Sequence, residues 1–320
     1  MKLHRIYAIV LAAVAAITTG CERDLEFKSE ENVPENIALS VVADPDTTFE
    51  VMAARTYLFS RLNGNYNPNE VFEKASSLRF GHVYFSVNGG SQTEMVYDET
   101  THRFRSDYHP KTGDRIDVTA SAPDLPTVSG STTVPSKPKI EILEVKTTKL
   151  PNDPFSSSFY QYSNKAEIRL RITDPEESGN YYRLIVQSYD KTTLFDGKNP
   201  SFYNNVYYST DDMFKDTDIY AERGEWAQYF SDVFSDHKFN GKTHEFTVIT
   251  KIAANKLEDA RLTIDLQSIT REMYFYLKSL MVYAVTPQDE YTEAIQIYSN
   301  VNEGWGIVGA ANTDHHIIDF

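Results

Sequence analysis

The sequence predicts a mainly β protein of two antiparallel, immunoglobulin-like β-sandwich domains. The second domain should carry one packed α-helix and an aromatic-rich insertion. Three observations predict this. Short runs alternate apolar and polar residues along most of the chain, as strands with one buried and one wet face require. Turn residues recur between those runs. Pro123, Pro126, Pro135 and Pro138, with Ser and Thr between them, divide the chain near Val134–Lys137. The expected organisation is a signal segment over 1–20, an acidic tether over 21–35, a first domain over 36–134 and a second over 138–320. A length of 320 residues suits two domains.

The elements follow in order. Ile37 to Ala43 reads as a first strand, closed by Asp44-Pro45-Asp46. Phe49 to Phe59 is compatible with a second, although its Met-Ala-Ala core also suits a helix. Val83, Phe85 and Val87 alternate with His82, Tyr84 and Ser86, and Asn88-Gly89-Gly90-Ser91 then supplies the positive-φ residues of a tight hairpin. Ile116, Val118 and Ala120 alternate in the same way. In the second half, Ile140 and Ile142 open a strand, and Ala166, Ile168, Leu170 and Ile172 alternate strictly with charged residues. Asp174 to Asn180 is a turn before a strand through Tyr182, Leu184 and Val186. Phe246 and Val248, then Leu262, Ile264 and Leu266, then Ile295 and Ile297 mark later strands. Ile269, Met273, Tyr276, Leu277, Leu280, Met281 and Ala284 instead share one helical face, predicting a helix over about 269–284. Ser268 or Thr270 would cap it, and Pro287 lies beyond its end.

The N-terminus has a different character. Lys2 and Arg5 precede an apolar run from Ile6 to Ile17, which is followed by Thr18-Thr19-Gly20-Cys21. A positive start, a short apolar core and small residues before a cut site describe a secretory signal. A run of this length is too short to span a hydrocarbon core of ~30 Å. Cys21, the chain's one cysteine, follows Gly20 where a bacterial lipoprotein signal ends, although Thr18 replaces the Leu usual three residues before it. Cys21 is therefore the expected lipid-attachment site. Acyl chains contribute ~0.8 kcal/mol per buried methylene, so several together anchor stably. Cleavage would remove Lys2 and Arg5 and no acid, taking the net charge from −15 to −17.

Composition excludes several function classes. The acidic balance leaves no basic field to displace counterions, so nucleic acid is not an expected partner. One cysteine forms neither an internal disulfide nor a cysteine-based zinc site. The eight histidines show no metal-ligand spacing, and no G-x-S-x-G elbow occurs. A hydrolase would have to assemble its site from distant residues around His237 or His244. Gly304-Trp305-Gly306-Ile307-Val308-Gly309 matches the G-x-G-x-x-G fingerprint, but only 11 residues follow it. No βαβ unit fits there, so the expected reading is a glycine-rich bend before a final strand, His315 to Phe320. No catalytic residue, metal or cofactor is expected. Asp211, Asp212, Asp216 and Asp218 lack the EF-hand pattern and read as a solvated loop.

The unusual composition lies in Phe195–Asn240, where 12 of 46 residues are aromatic. Exposed Tyr and Trp anchor protein interfaces and stack on sugars. Tyr203, Tyr207, Tyr208, Trp226 and Tyr229 are therefore the candidate partner or ligand contacts. The alternative is that these rings form a local core.

Several blocks together resemble a known family. They are Asn180-Tyr181-Tyr182-Arg183-Leu184 after the Asp-Pro turn, Phe230-Ser231-Asp232, Phe239-Asn240-Gly241-Lys242, Tyr274 to Leu280, and Tyr298-Ser299-Asn300-Val301 leading into the glycine cluster. With the lipobox they resemble the envelope lipoproteins of Bacteroidetes grouped as domain-of-unknown-function family 4249. Trp305 stands where a smaller apolar residue is common. The resemblance brings no catalytic residues. It implies a lipid-anchored outer-membrane protein at the cell surface, since Glu22-Arg23-Asp24-Leu25-Glu26 resembles the acidic export patch of such lipoproteins. It also implies a TonB-dependent receptor as partner. The expected function is a non-enzymatic accessory to such a receptor in nutrient capture. The alternative is an independent surface module that binds a glycan or peptide.

Overall fold

The computed structural model describes residues 35–56, 76–150, 164–192, 194–195, 199–200, 207–215, 231–252, 254, 256–286 and 295–320. The signal segment, Cys21, the tether up to Pro34, Tyr203, Trp226 and Tyr229 lie outside the described residues. The protein is mainly β, with several sheets and, among the described residues, one α-helix.

The first half holds β1 (Ile37–Ala43), β2 (Glu50–Arg55), β3 (His82–Val87), β4 (Thr93–Glu94), β5 (Val96–Asp98), β6 (Arg103–Arg105), β7 (Arg115–Ser121) and β8 (Val128–Thr133). Period-two alternation decides their inner faces. In β1, Ile37, Leu39, Val41 and Ala43 are buried while the residues between them are more exposed. Asn88 and Gly89 take positive φ of 53° and 71° in a turn closed by Gly90 N donating to Val87 O, but β3 and β4 pair only back to Phe85↔Thr93, so their connection is longer than the tight hairpin expected. Strands β4-β3-β7-β8 form one sheet, and their inner residues share one hydrophobic cluster with those of β1, β2 and β6. Strand β8 falls inside the proline-punctuated stretch, where the sequence suggested only a boundary. Its inner positions are Val128, Gly130 and Thr132, which carry too little hydrophobicity to show a period.

The second half holds β9 (Lys139–Lys149), β10 (Asn164–Thr173), β11 (Tyr181–Asp190), β12 (Leu194–Phe195), β13 (Asn199–Pro200), β14 (Val233–Ser235), β15 (Thr243–Ile252), β16 (Ala260–Ile269), helix α1 (Arg271–Val285) and β17 (Trp305–Asp319). Strands β15-β10-β9 form a three-stranded sheet. Its inner residues Ala166, Ile168, Leu170 and Ile172 are fully buried against Leu184, Leu262, Ile264 and Leu266 of β11 and β16. Its outer face is a charged ladder in which Arg171 bridges Glu141 at 3.3 Å and Glu245 at 2.5 Å.

Strand β17 corrects the expected terminal strand. It starts at Trp305, ten residues before His315, and takes in the glycine cluster. Its first part pairs parallel with β1, from Ala38↔Trp305 to Ala43↔Ala310, and its second part pairs antiparallel with β16. One strand thus joins both halves into an eight-stranded sheet ordered β14-β11-β16-β17-β1-β2-β6-β5. The first-half cluster accordingly includes Val301, Val308 and Ala310.

Helix α1 starts as its sequence suggests. The Thr270 side chain accepts from Met273 N, capping the first turn. Ile269, expected at the start of the helix, is instead the last residue of β16. Met273, Tyr274, Leu277 and Met281 of α1 pack on Val233, Ile269 and Ala311. The strand expected through Ile295 and Ile297 does not form. Residues 295–300 run beside α1, with Tyr298 N donating to Ser279 Oγ at 2.9 Å and the Tyr298 ring 5.8 Å from Phe275.

Candidate functional site

The described part of the aromatic segment faces inward. Tyr207 is 5% exposed, and its hydroxyl donates to Leu184 O at 2.8 Å. Tyr207 therefore serves the core, and its expected role as a surface contact is corrected: a ring inside a packed layer has no face left for a partner. Phe214 lies 5.2 Å from Phe234 and 5.5 Å from Phe246, both edge-on. Phe239 and Tyr182 complete the layer. Tyr208 is half-buried, and its backbone forms a bridge with Ile249 beside β15. Tyr203, Trp226 and Tyr229 lie outside the described residues.

A polar clamp lies under this layer. Asp174, 5% exposed, accepts from Tyr182 Oη at 2.6 Å and from Gly241 N at 2.8 Å. Asp236 accepts from the Gly179 and Asn180 amides, each at 2.8 Å. Burial pushes the Asp174 carboxyl above the usual range, against the lowering effect of its hydrogen bonds. Burial first, and then the Asp174 hydrogen bond, raises the Tyr182 phenol further. With both carboxyl groups accepting from the neighbouring turns, this is a device for holding two turns together.

The histidines do not converge. His237 is exposed, whereas His244 pairs with Asp211 at 2.9 Å and stacks on Phe239. His315 pairs with Asp265. Among the described residues no group of three or more His, Cys, Asp or Glu could hold a metal ion, and no helix is long and apolar enough to cross a membrane.

The G-x-G-x-x-G match has a packing explanation. Gly306 has a φ of 105°, and a Cβ there would overlap the Leu39 carbonyl oxygen of β1. A Cβ on Gly304 would stand 2.6 Å from Ile37 O, and one on Gly309 would stand 3.2 Å from Met273 of α1. These glycines let β17 lie against β1 on one side and α1 on the other.

Beside this junction is a pocket of about 340 Å³, walled by the end of β8, Pro135 and Ser136, the Gly179–Tyr181 turn and the first turn of α1. Its lining includes Thr132, Asn180, Tyr181, Ser268, Arg271 and Glu272. Asn180 is held in place by Nδ2 bonds to Glu177 O and Asp236 Oδ2. The Tyr181 ring is 4.8 Å from Tyr274, and the Arg271 guanidinium lies 4.7 Å over Phe275. Sequence reasoning missed this site because its walls come from stretches more than 40 residues apart. The one local signal is the Thr270 cap, which marks where α1 begins. A larger cleft of about 680 Å³ opens between β3–β4 and β6, near Arg105, Asp107 and Tyr108. Arg105 there is engaged by Glu50 at 2.7 Å and Asp98 at 2.9 Å.

The family model described as "Domain of unknown function (DUF4249)" matches residues 58–317. The chain belongs to the DUF4249 family. The match covers the whole of α1 and most of β17, so the pocket falls within the DUF4249 region, while β1 and β2 lie before its start. No curated protein matches the chain significantly.

Proposed function

We propose that this DUF4249 protein is a lipid-anchored envelope lipoprotein of a Bacteroidetes-type bacterium. It acts without catalysis as an accessory to a TonB-dependent outer-membrane receptor in nutrient capture. The observation that carries this reading is the N-terminal run: Lys2 and Arg5, the apolar stretch to Ile17, and Thr18-Thr19-Gly20-Cys21. The acids after Cys21 support placement at the cell surface. Two immunoglobulin-like sandwiches, one on either side of β17, are part of the same reading. Two experiments test it. A clickable fatty acid fed to cells should label the wild-type protein and not Cys21→Ala. Purification from membranes in mild detergent should recover a receptor, and repeated recovery of the lipoprotein alone would overturn the accessory role.

A second reading is an independent surface module that binds a glycan or peptide. The hydroxyl-lined pocket at the junction favours it. Under this reading Tyr203, Tyr208, Trp226 and Tyr229 remain the aromatic contacts to test. Trp226→Ala or Tyr229→Ala should abolish ligand binding, and unchanged binding in both would remove them from the site.

A further inference from the structure

We propose that the outer face of strands β17, β1 and β2 rests on a lipid bilayer surface, with Trp305, Met52 and Val42 set among the headgroups. The inference deepens the lipoprotein reading and rests on it, since acyl chains at Cys21 would bring this face to a membrane. Strand register defines the face. Ala38 lies opposite Trp305 on one side and Ala54 on the other, and Ser40 lies opposite Ile307 and Met52. Glu50 lies opposite Arg105, which lies opposite Val96. Paired residues point the same way, as do alternate residues along a strand, so all of these share one side with Val42. The other side meets the first core through Leu39, Val41, Val51 and Phe104. Helix α1 covers the adjoining part of the outer face: Met273 packs over Gly309, and Ile307 beside it is buried. Beyond it, Trp305 is 51% exposed, Met52 45% and Val42 39%, and Val96 more than any of them. These are four of the seven large apolar side chains that stand exposed among the described residues, so the face is a concentration and not a scatter.

Three observations select a bilayer as the occupant. The first is where the anchored chain enters. Strand β1 begins at Ile37, one residue before the Ala38–Trp305 pair, so the chain from Cys21 joins the fold at the edge of this face. Glu35 follows Cys21 by 14 residues, and an extended chain spans at most ~3.6 Å per residue, so the face stays within ~50 Å of the anchor. Within that reach a lipid contact is intramolecular and needs little affinity of its own. The second is charge. Signal cleavage leaves the chain at −17, which anionic headgroups repel. This face is balanced instead: Glu50 bridges Arg103 at 3.4 Å and Arg105 at 2.7 Å, and Asp98 bridges Arg105 at 2.9 Å. A second copy would set one strongly acidic body against another, whereas a bilayer meets only the balanced face. The third is residue type. Trp settles at headgroup level, and Arg lays its stem along apolar surface while its charged end reaches outward. The contact would turn strands β4, β3, β7 and β8, on the far side of the first core, away from the membrane.

Tryptophan fluorescence of the mature chain, purified from membranes and reconstituted in vesicles, tests the proposal. The chain has two tryptophans, so Trp226→Phe leaves Trp305 as the sole emitter. The vesicles are phosphatidylethanolamine with phosphatidylglycerol, with or without bromine near the headgroup end of the acyl chains. Brominated vesicles should extinguish most of the Trp305 emission, and the bilayer should shield the ring from iodide in the water. Adding Val42→Asp and Met52→Asp should restore the emission while the anchored protein still floats with the vesicles. Both side chains already reach solvent, so the melting temperature should fall only slightly. The quenching itself needs no change to Val42 or Met52, so it stands even where the double substitution fails to fold. Trp305 open to iodide and indifferent to bromine would overturn the proposal. Trp305 shielded from both would mean that protein covers the face, a second copy or another partner, and would overturn it as well. Quenching that survives the double substitution in a folded protein would assign the contact to the tether instead. A chain that carries no acyl group and does not float would overturn the lipoprotein reading and this one with it. A chain that floats with Trp305 unquenched would overturn this one alone.

Discussion

The two halves of the molecule fill their cores by different means. The first buries aliphatic side chains such as Leu39, Val41, Val51, Val83, Ile116 and Val118 with a smaller set of rings, Phe49, Phe85 and Phe104, nearly all on or beside strands close in sequence. It then borrows Val301 and Val308 from the far end of the chain to close. The second buries Ala166 to Ile172, Leu184 and Leu262 to Leu266, and adds a layer of rings, Tyr182, Phe214, Phe234, Phe239 and Phe246. Part of that layer comes from short segments with little regular structure. The first core is completed by residues from the far end of the chain, the second by a larger set of interlocking rings. The difference teaches that the aromatic surplus of Phe195–Asn240 is, where described, building material for the second core.

The strongest test of the comparison is Gly306→Ala. The methyl group would meet the Leu39 carbonyl, and the positive φ adds strain, so a loss on the order of 4 kcal/mol is expected. Because β17 belongs to both halves, urea unfolding should show one transition moved to lower denaturant. Two separated transitions would mean that the cores unfold independently. Phe214→Ala comes next. Removing a ring at the centre of the second core should cost about 3–5 kcal/mol, against about 1 kcal/mol for Ile116→Val in the first. Near-equal values in thermal unfolding would show a ring layer able to collapse around the gap. Thr270→Ala removes the α1 cap and should cost about 1 kcal/mol by the same measurement.

Two carboxyls, one in each half, respond to pH with opposite sign. The Asp174 carboxyl of the second half is raised, so in the interval between its ordinary and raised values the native state holds a proton that the unfolded chain has released. Stability therefore falls as pH rises through that interval, and Asp174→Asn should flatten the slope. Asp98 of the first half is held down to about 2, by the Thr100 amide first and Arg105 next. Its contribution is present above the ordinary carboxylate value and is lost as pH falls toward 2. The smallest effect is expected on the outer ladder. Arg171→Ala should move the melting temperature only slightly, and less still in high salt, because the pairs are exposed.

Particular residues show how much was legible. Strands β1, β3, β7 and β10 could be read from alternation because their inner positions are strongly apolar, and α1 because Thr270 and an apolar stripe mark it. Strand β8 and the first part of β17 were not legible. The inner positions of β8 include Gly130 and Thr132, and in β17 six consecutive residues from Ile307 to Asn312 are buried, so neither shows a hydrophobic period of two. Tyr207 resembled a surface anchor for the same kind of reason: a tyrosine suits an interface and a core equally, and only its bond to Leu184 distinguishes them. The pocket left no local trace, since Thr132, Asn180 and Glu272 are brought together by the fold.

The sequence by itself determined the β character of the chain, the inner faces of its regular strands, the start of its helix and its membership of DUF4249. These depend on periods, caps and motifs that act over a few residues. Tertiary structure alone decided that the glycine cluster is a joint between strands, that β17 unites two cores, and that hydroxyls from separate stretches meet at the start of α1. A strand's partner is set by contacts across the whole chain, and the need for Gly306 arises only once Leu39 lies against it.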